Sequence, residues 1–332
     1  MDTLHQKVES IISPIYMVGG CVRDSIRGVE PKDYDFATPL LPDEIEAAVK
    51  KAGLHAYCVG KRFGTIGCKV DGNYVEITTF RTEKYAEGNR KPSVEFVKDI
   101  TADLSRRDFT INAIAKRGEK YIDPFGGEED IKKKCIRCVG KPSDRFKEDP
   151  LRLLRAARFA SQLGFTIDMD LYVIALQLNY KILEVSKERW MMELDKLLMS
   201  NLSSSGLAFI ADTKLLNYII PELSLQVEYN QNNPHHSHPL WFHTLDVVQG
   251  VPADINLRWA ALLHDIAKPF VRTENKKGYS NYIKHDLLGA DMVLKIARHL
   301  KWSNDRTEIV SNLVLNHMKD DSPLRKADGE AK

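Results

Sequence analysis

Short apolar runs separated by turn residues fill the first 140 positions. "IYMVGG" (15–20), "YDFAT" (34–38), "GTIGCKV" (64–70) and "YVEITTF" (74–80) have the length and β-branched or aromatic content of strands. "PDEIEAAVKKAG" (42–53) repeats apolar residues at helix spacing, opens on proline and acids, and closes at Gly53. These alternations predict an α+β domain over 1–140. From Glu148 the pattern turns helical, with Leu151, Leu154, Phe159 and Leu163 in phase until Gly164 ends the segment. A helical segment over 141–205 and a second helical block over 206–332 are expected, with "SNLSSSG" (200–206) as the joint. The second block is interrupted by the polar loop "EYNQNNPHHSHP" and ends in the polar stretch "DSPLRKADGEAK".

Composition narrows the class. The 332 residues are 43% hydrophobic and 28% charged, which excludes an extended disordered chain. No apolar run is long enough to cross a bilayer, and "MDTLHQKVESIIS" lacks a basic segment followed by an apolar one, so no membrane partner and a cytoplasmic location are expected. The five cysteines have no framework spacing, and "CIRC" (135–138) has no second ligand pair for zinc, so reduced thiols are expected. A net charge of +2 leaves nucleic-acid affinity to local clusters. Lys132, Lys133, Lys134, Arg137, Lys141, Arg145 and Lys147, followed by Arg152, Arg155 and Arg158, form one such cluster, readable as a phosphate-binding wall or a solvated face.

Candidate chemistry begins at "PKDYDFAT". Asp33 and Asp35 are two positions apart on a strand and share a face, where like charges repel unless a cation such as Mg2+ lies between them. Upstream, "VGGCVRD" leads a strand through Gly19 and Gly20 into a helix start, where backbone amides and Arg23 suit phosphate oxygens. Glu76, flanked by apolar residues at alternate positions, is a third carboxylate for the same cation. "DLSRRDFTINAIA" places Asp108 and Asn112 at i and i+4 for a ribose hydroxyl, with Arg107 for a phosphate. In "EDPLRLLRAARF" Asp149 and Arg152, at i and i+3 on a helix, offer an acceptor and a donor. That pair matches the amino donor and ring-nitrogen acceptor of cytosine and adenine, and mismatches uracil and guanine. Arg155 and Arg158 wind away around the axis, toward phosphates or a bracing role.

In this order, "VGGCVRD", "DYD", "RRDFTINA" and "EDPLRLLR" resemble the class II tRNA nucleotidyltransferase and bacterial poly(A) polymerase family. The resemblance runs from about Met17 to Glu193 and takes in "YIDPFGGEEDI" and "SKERWMMEL", with Arg189 and Glu193. It implies a polymerase-β-like nucleotidyltransferase head with a mixed sheet, a helical neck carrying the base-reading helix, and a helical body. It further implies that Asp33 and Asp35 hold two Mg2+ ions, and that Gly20, Arg23 and Arg107 hold the nucleotide's phosphates and sugar. Asp149 and Arg152 would then select CTP and ATP for transfer to a tRNA 3′ end. "RTEKYAEGNRKPSVEF" (81–96) matches the family's flexible loop.

The second half carries His243, the doublet His264–Asp265, His285 and His317, a set suited to a divalent transition metal. Their order resembles the HD phosphohydrolase superfamily, whose last aspartate corresponds to Asp320, Asp321 or Asp328. Family members usually continue well past this point with a tRNA-gripping body, so the resemblance implies least about whole-tRNA recognition. CCA addition is the first reading. A poly(A) polymerase or partial CC- or A-adding enzyme shares the same site, and an HD phosphohydrolase or an inactive RNA-binding relative are readings of other classes.

Overall fold

The computed structural model describes residues 3–84, 93–232 and 238–331, which fall into two compact units, Met1–Asp149 and Pro150–Lys332. The expected boundary at 140 thus lies inside the first unit. The first unit contains α1 (Leu4–Ile11), β1 (Tyr16–Val18), α2 (Gly20–Ile26), β2 (Tyr34–Thr38), α3 (Pro42–Lys51), β3 (Thr65–Val70) and β4 (Asn73–Thr79). It continues with β5 (Arg81–Lys84), β6 (Ser93–Phe96), α4 (Ile100–Ser105), β7 (Ala115–Arg117), β8 (Lys120–Ile122), α5 (Gly127–Lys133), β9 (Cys135–Ile136) and α6 (Pro142–Glu148). All four expected strands and the expected helix form. Helix α1 starts on a capping box in which Thr3 and Gln6 bond reciprocally, and α3 starts on Pro42 with Glu44 accepting the Leu41 N–H at 2.7 Å.

One mixed sheet has the order β3-β4-β2-β1-β7-β8, with β2 and β4 parallel and Asp35 opposite Glu76. Alternation splits its faces. Phe36, Ile66, Cys68, Val75 and Ile77 pack with Val8, Ile12, Ile45 and Val49 of α1 and α3 on one side. On the other, Val18, Ala37, Leu104 and Ala115 form a second core beneath β1 and β7. From β2 toward β3 that second face stays open among the described residues, and Asp35 of β2 with Tyr74 and Glu76 of β4 emerge there. β5 and β6 pair as a hairpin, and the middle of the expected loop, 85–92, lies outside the described residues.

The second unit is helical: α7 (Arg152–Leu163), α8 (Met169–Leu178), α9 (Lys187–Leu198), α10 (Ser203–Asp212), α11 (Leu216–Ile219), α12 (Pro221–Ser224), α13 (Leu240–Gly250), α14 (Ile255–Leu263), α15 (Lys268–Val271), α16 (His285–Leu300), α17 (Asn304–Leu315) and α18 (Arg325–Glu330). Gly164 ends α7 at φ 66°, as its place after the apolar run predicts.

Two polar stretches are helical here. Within 200–206 Ser203 starts α10, and a Cβ on Gly206 would lie 2.3 Å from the Ser161 hydroxyl of α7, so serine and glycine serve close helix packing. The polar C-terminal stretch likewise forms α18, anchored by fully buried Leu324. Residues 233–237 of the polar loop lie outside the described residues. None of the five cysteines forms a disulfide, and among the described residues no helix is long and apolar enough to cross a membrane.

Candidate active site

Phe36 is drawn into the core, so its neighbour Asp35 must point to the opposite face, and Glu76 follows from Val75 and Ile77 in the same way. Asp33 stands just before the strand. Burial by the surrounding protein raises the Asp35 pKa, Arg107 opposes the rise, and Asp33 adds to it. Glu76 is raised by burial and then by Asp35 and Asp33. Asp33 therefore disfavours the charge of Asp35, and both disfavour that of Glu76, the condition that a bound cation relieves.

The β1–α2 turn brings the arginines in. Gly19 has φ 75°, a backbone conformation that favours glycine, and a Cβ there would lie 3.0 Å from Arg107 Nη1 and 3.9 Å from Asp35, so the turn lets the guanidinium approach closely. Arg107 is aimed by Asp103, a fully buried carboxylate at the end of α4 that accepts from Arg107 Nη2 (3.2 Å), Arg106 Nε and Nη2 (3.1 and 2.9 Å) and the Arg81 N–H (3.2 Å). Arg106 also bonds Glu83 of β5 at 2.9 Å. Asp103 was not anticipated, although its i+3 and i+4 spacing to Arg106 and Arg107 was available in the sequence.

The helix expected over 108–112 is instead a single 3₁₀ turn, Thr110–Asn112. Its side chains form a chain of bonds: Arg23 Nη1 donates to Asn112 Oδ1 (2.7 Å), and Asn112 Nδ2 donates to Asp108 Oδ1 (3.2 Å). Arg23 also grips Asp24 through Nε and Nη2, both at 3.0 Å. The structure thus gathers Arg23, Asp108 and Asn112 into one buried brace behind the glycine turn.

Asp149 and Arg152 do not share a helix as expected. Asp149 is extended (φ −141°, ψ 98°) after α6, and α7 begins at Arg152. Pro150 explains the break, since a residue before proline is pushed out of the helical region. Arg152 is buried, while Arg158 pairs with Glu193 of α9 at 2.5 Å and Arg155 approaches it at 3.7 Å. These two arginines brace α7 against α9. Other members of the basic cluster are also paired locally, Arg137 with Asp130 and Arg145 with Glu148.

In the second unit His243, His264, Asp265 and Asp328 converge within 4.8 Å, and Asp265, His285 and His317 form a second group sharing the same aspartate. Among the described residues no other such group occurs; the carboxylates of the first unit do not close to that distance. α18 singles out Asp328 from the three candidate aspartates. Each histidine turns Nδ1 to a backbone carbonyl: Ala331 (3.0 Å), Ala261 (2.8 Å), Tyr282 (2.7 Å) and Val314 (2.6 Å) for His243, His264, His285 and His317. A carbonyl can only accept, so Nδ1 carries a proton and Nε2 is the nitrogen turned inward. Two such pairs face each other, His243 with His264 at 3.2 Å and His285 with His317 at 3.0 Å, which requires a proton or metal cation between them. Burial lowers His317 to about 4, whereas in His243 the bonds to Asp265 and Asp328 outweigh burial and raise it to about 9. Lys268 Nζ holds Asp265 at 2.6 Å.

Known proteins are similar to both halves of the chain. The Poly A polymerase head domain matches residues 15–137, the HD domain 242–331, and the probable RNA- and SrmB-binding site of polymerase A 164–226. The CCA-adding enzyme of Staphylococcus epidermidis is 34% identical over 330 residues, covering 94% of this chain and 80% of that protein. That of Geobacillus thermodenitrificans is 39% identical over 263 residues, 77% of this chain and 61% of the relative. The crystal structure of the Bacillus stearothermophilus CCA-adding enzyme in complex with CTP aligns at a TM-score of 0.66 and 28% identity, covering 100% of this chain and 80% of that one. A tRNA nucleotidyltransferase complexed with a primer tRNA and an incoming ATP analog aligns at a TM-score of 0.58 and 25% identity, covering 94% and 93%. The chain spans 50% to 61% of the length of the first curated relatives it matches.

Proposed function

Since the chain belongs to the family of CCA-adding enzymes, we propose that it transfers CMP and AMP units from CTP and ATP to the 3′ end of tRNA, without a template and with release of pyrophosphate. The observation that carries this reading is the facing of Asp35 and Glu76 across β2 and β4, beside an Arg107 that passes close over the Gly19 turn. The oxygen of the RNA 3′-hydroxyl attacks the α-phosphorus, the bond to the β-phosphate breaks, and no covalent enzyme intermediate is needed. Asp33, Asp35 and Glu76 would hold Mg2+; the chemistry a divalent cation supplies there is a more acidic 3′-hydroxyl and charge compensation for pyrophosphate. Arg107, with Gly20 and the brace of Arg23, Asp108 and Asn112 behind it, would hold the nucleotide's phosphates and sugar. Asp149 and Arg152 would read the base, within a neck reaching to 205 and followed by a body from 206. Such work on tRNA fits a cytoplasmic location.

Base reading gives a test. Arg152→Ala should lower the preference for CTP over UTP in kcat/KM by about tenfold or more, because the donor that bonds cytosine's ring nitrogen and clashes with uracil's ring N–H is gone. Parallel losses for both nucleotides, with the ratio unchanged, would remove Arg152 from that role.

The histidine cluster favours a second activity beside the first. We infer a divalent transition metal at His243, His264, Asp265 and Asp328, with His285 and His317 adjoining, and metal-dependent hydrolysis of phosphate esters there. His264→Ala should lower hydrolysis of a 2′,3′-cyclic nucleotide at least about a hundredfold, with nucleotidyl transfer read in the same preparation. A hydrolysis rate equal to the unaltered protein's would exclude the cluster.

A further inference from the structure

A row of sheet partners leads sideways from the carboxylates to a pair of tyrosines. Asp35 of β2 lies opposite Glu76 of β4, Glu76 opposite Gly67 of β3, and Gly67 exchanges both backbone hydrogen bonds with Tyr57 (2.8 and 3.0 Å). Strands stand about 4.8 Å apart, so Tyr57 is about 14 Å from Asp35 along this row. Tyr74, two residues before Glu76 and therefore on the same face, crosses the gap. A Cβ on Gly67 would lie 2.3 Å from its hydroxyl and 2.9 Å from its ring, so glycine leaves a bare floor on which the tyrosine lies.

The rings of Tyr74 and Tyr57 are 5.9 Å apart, and His55 meets Tyr57 edge-on at 4.7 Å. Both tyrosines remain open, 48% and 39% exposed, while the core on the other sheet face is filled without them. Lys69 stands opposite Tyr74 on β3, also exposed. Exposed aromatic rings with an adjacent cation on an open sheet face are what single-stranded nucleic acid uses for stacking.

Two substrates must reach the carboxylates, and the sheet order separates their approaches. Arg107 enters over the β1 side of β2, the flank assigned to the triphosphate, whereas the tyrosines lie on the β4–β3 flank. We propose that Tyr74, backed by Tyr57, is the stacking platform for a base at the 3′ end of the RNA acceptor, with Lys69 meeting its backbone phosphate. This rests on the nucleotidyl-transfer reading. A nucleotide whose 3′-hydroxyl is at Asp35 and Glu76 has its base, or that of the preceding nucleotide, over the Gly67 floor.

The test uses the full chain and fluorescently labelled tRNA that lacks its CCA end, with binding followed by anisotropy in the absence of nucleotide. Tyr74→Ala should raise Kd about tenfold and Tyr74→Phe should restore it to within about twofold, since the ring and not the hydroxyl stacks. Tyr57→Ala should give a smaller rise. In extension assays the same variants should raise the KM for RNA and move the KM for CTP less than about twofold. Unchanged RNA affinity in Tyr74→Ala, or a rise confined to the KM for CTP, would overturn the platform. A protein that extends no RNA yet binds it through Tyr74 would instead refute the transfer reading alone.

Discussion

Asp35→Asn is expected to cut kcat for nucleotide addition by about a thousandfold, roughly 4 kcal/mol of transition-state stabilisation, without lowering the thermal midpoint. The two halves of this result have one cause. Asp35 is held beside Asp33 and Glu76 with its pKa raised by burial and, after the opposing pull of Arg107, by Asp33. A carboxyl raised in the folded state has a charged form that folding disfavours. Its cost is absent below the ordinary carboxylate pKa, grows as pH rises from that value to the raised one, and is fully present above the raised one. Asparagine removes that cost along with the ligand charge. Kinetics at saturating CTP and a melting curve on the same protein check both parts. Loss of activity accompanied by a midpoint several degrees lower would show Asp35 to be a structural carboxylate.

Asp103→Ala should destabilise the first unit by about 3–5 kcal/mol, because it strips the buried carboxylate that Arg106 and Arg107 share, taking from Arg107 its buried partner and from Arg106 one of its carboxylates. At about 2–4 °C per kcal/mol for a unit of this size, the midpoint should fall by about 10 °C. Burial would raise the Asp103 pKa, but Arg107 and Arg106 outweigh it and hold it low. The associated stability is therefore present above the ordinary carboxylate pKa and lost as pH falls through the depressed one. Asp103 also accepts the Arg81 N–H, and Arg106 reaches Glu83, so the base of the β5–β6 hairpin and the Arg107 side chain share one support. Surviving protein should accordingly show a raised KM for nucleotide. Differential scanning calorimetry decides the first point, and a midpoint within about 2 °C of the parent's would contradict it.

What the sequence made legible follows periodicity. Phe36, Val75 and Ile77 fix which way Asp35 and Glu76 point, and both carboxylates were readable from their apolar neighbours. The break at Asp149 was readable too, since Pro150 disfavours helix at the residue before it, but helical periodicity downstream masked the rule. Asp103 escaped because partners in a buried network are set by packing between α4 and β5, across more than twenty positions of sequence. Asp328 was ambiguous for a different reason: a polar segment with three nearby aspartates carries little periodic signal, and only Leu324 and Ala327, packed inward, turn it into a helix. The histidines were found by type and order, whereas their shared inward Nε2 orientation depends on backbone carbonyls that no side-chain pattern reports.

The most direct test of the central claim is primer extension with purified protein, Mg2+, tRNA lacking its 3′ CCA, and CTP, ATP, UTP and GTP supplied singly and together, with Asp35→Asn run in parallel. The unaltered protein should add two C residues from CTP, one A once ATP is present, and then stop, and the variant should give no product. Long A tails, incorporation of U or G at a comparable rate, or equal extension by Asp35→Asn would contradict the claim.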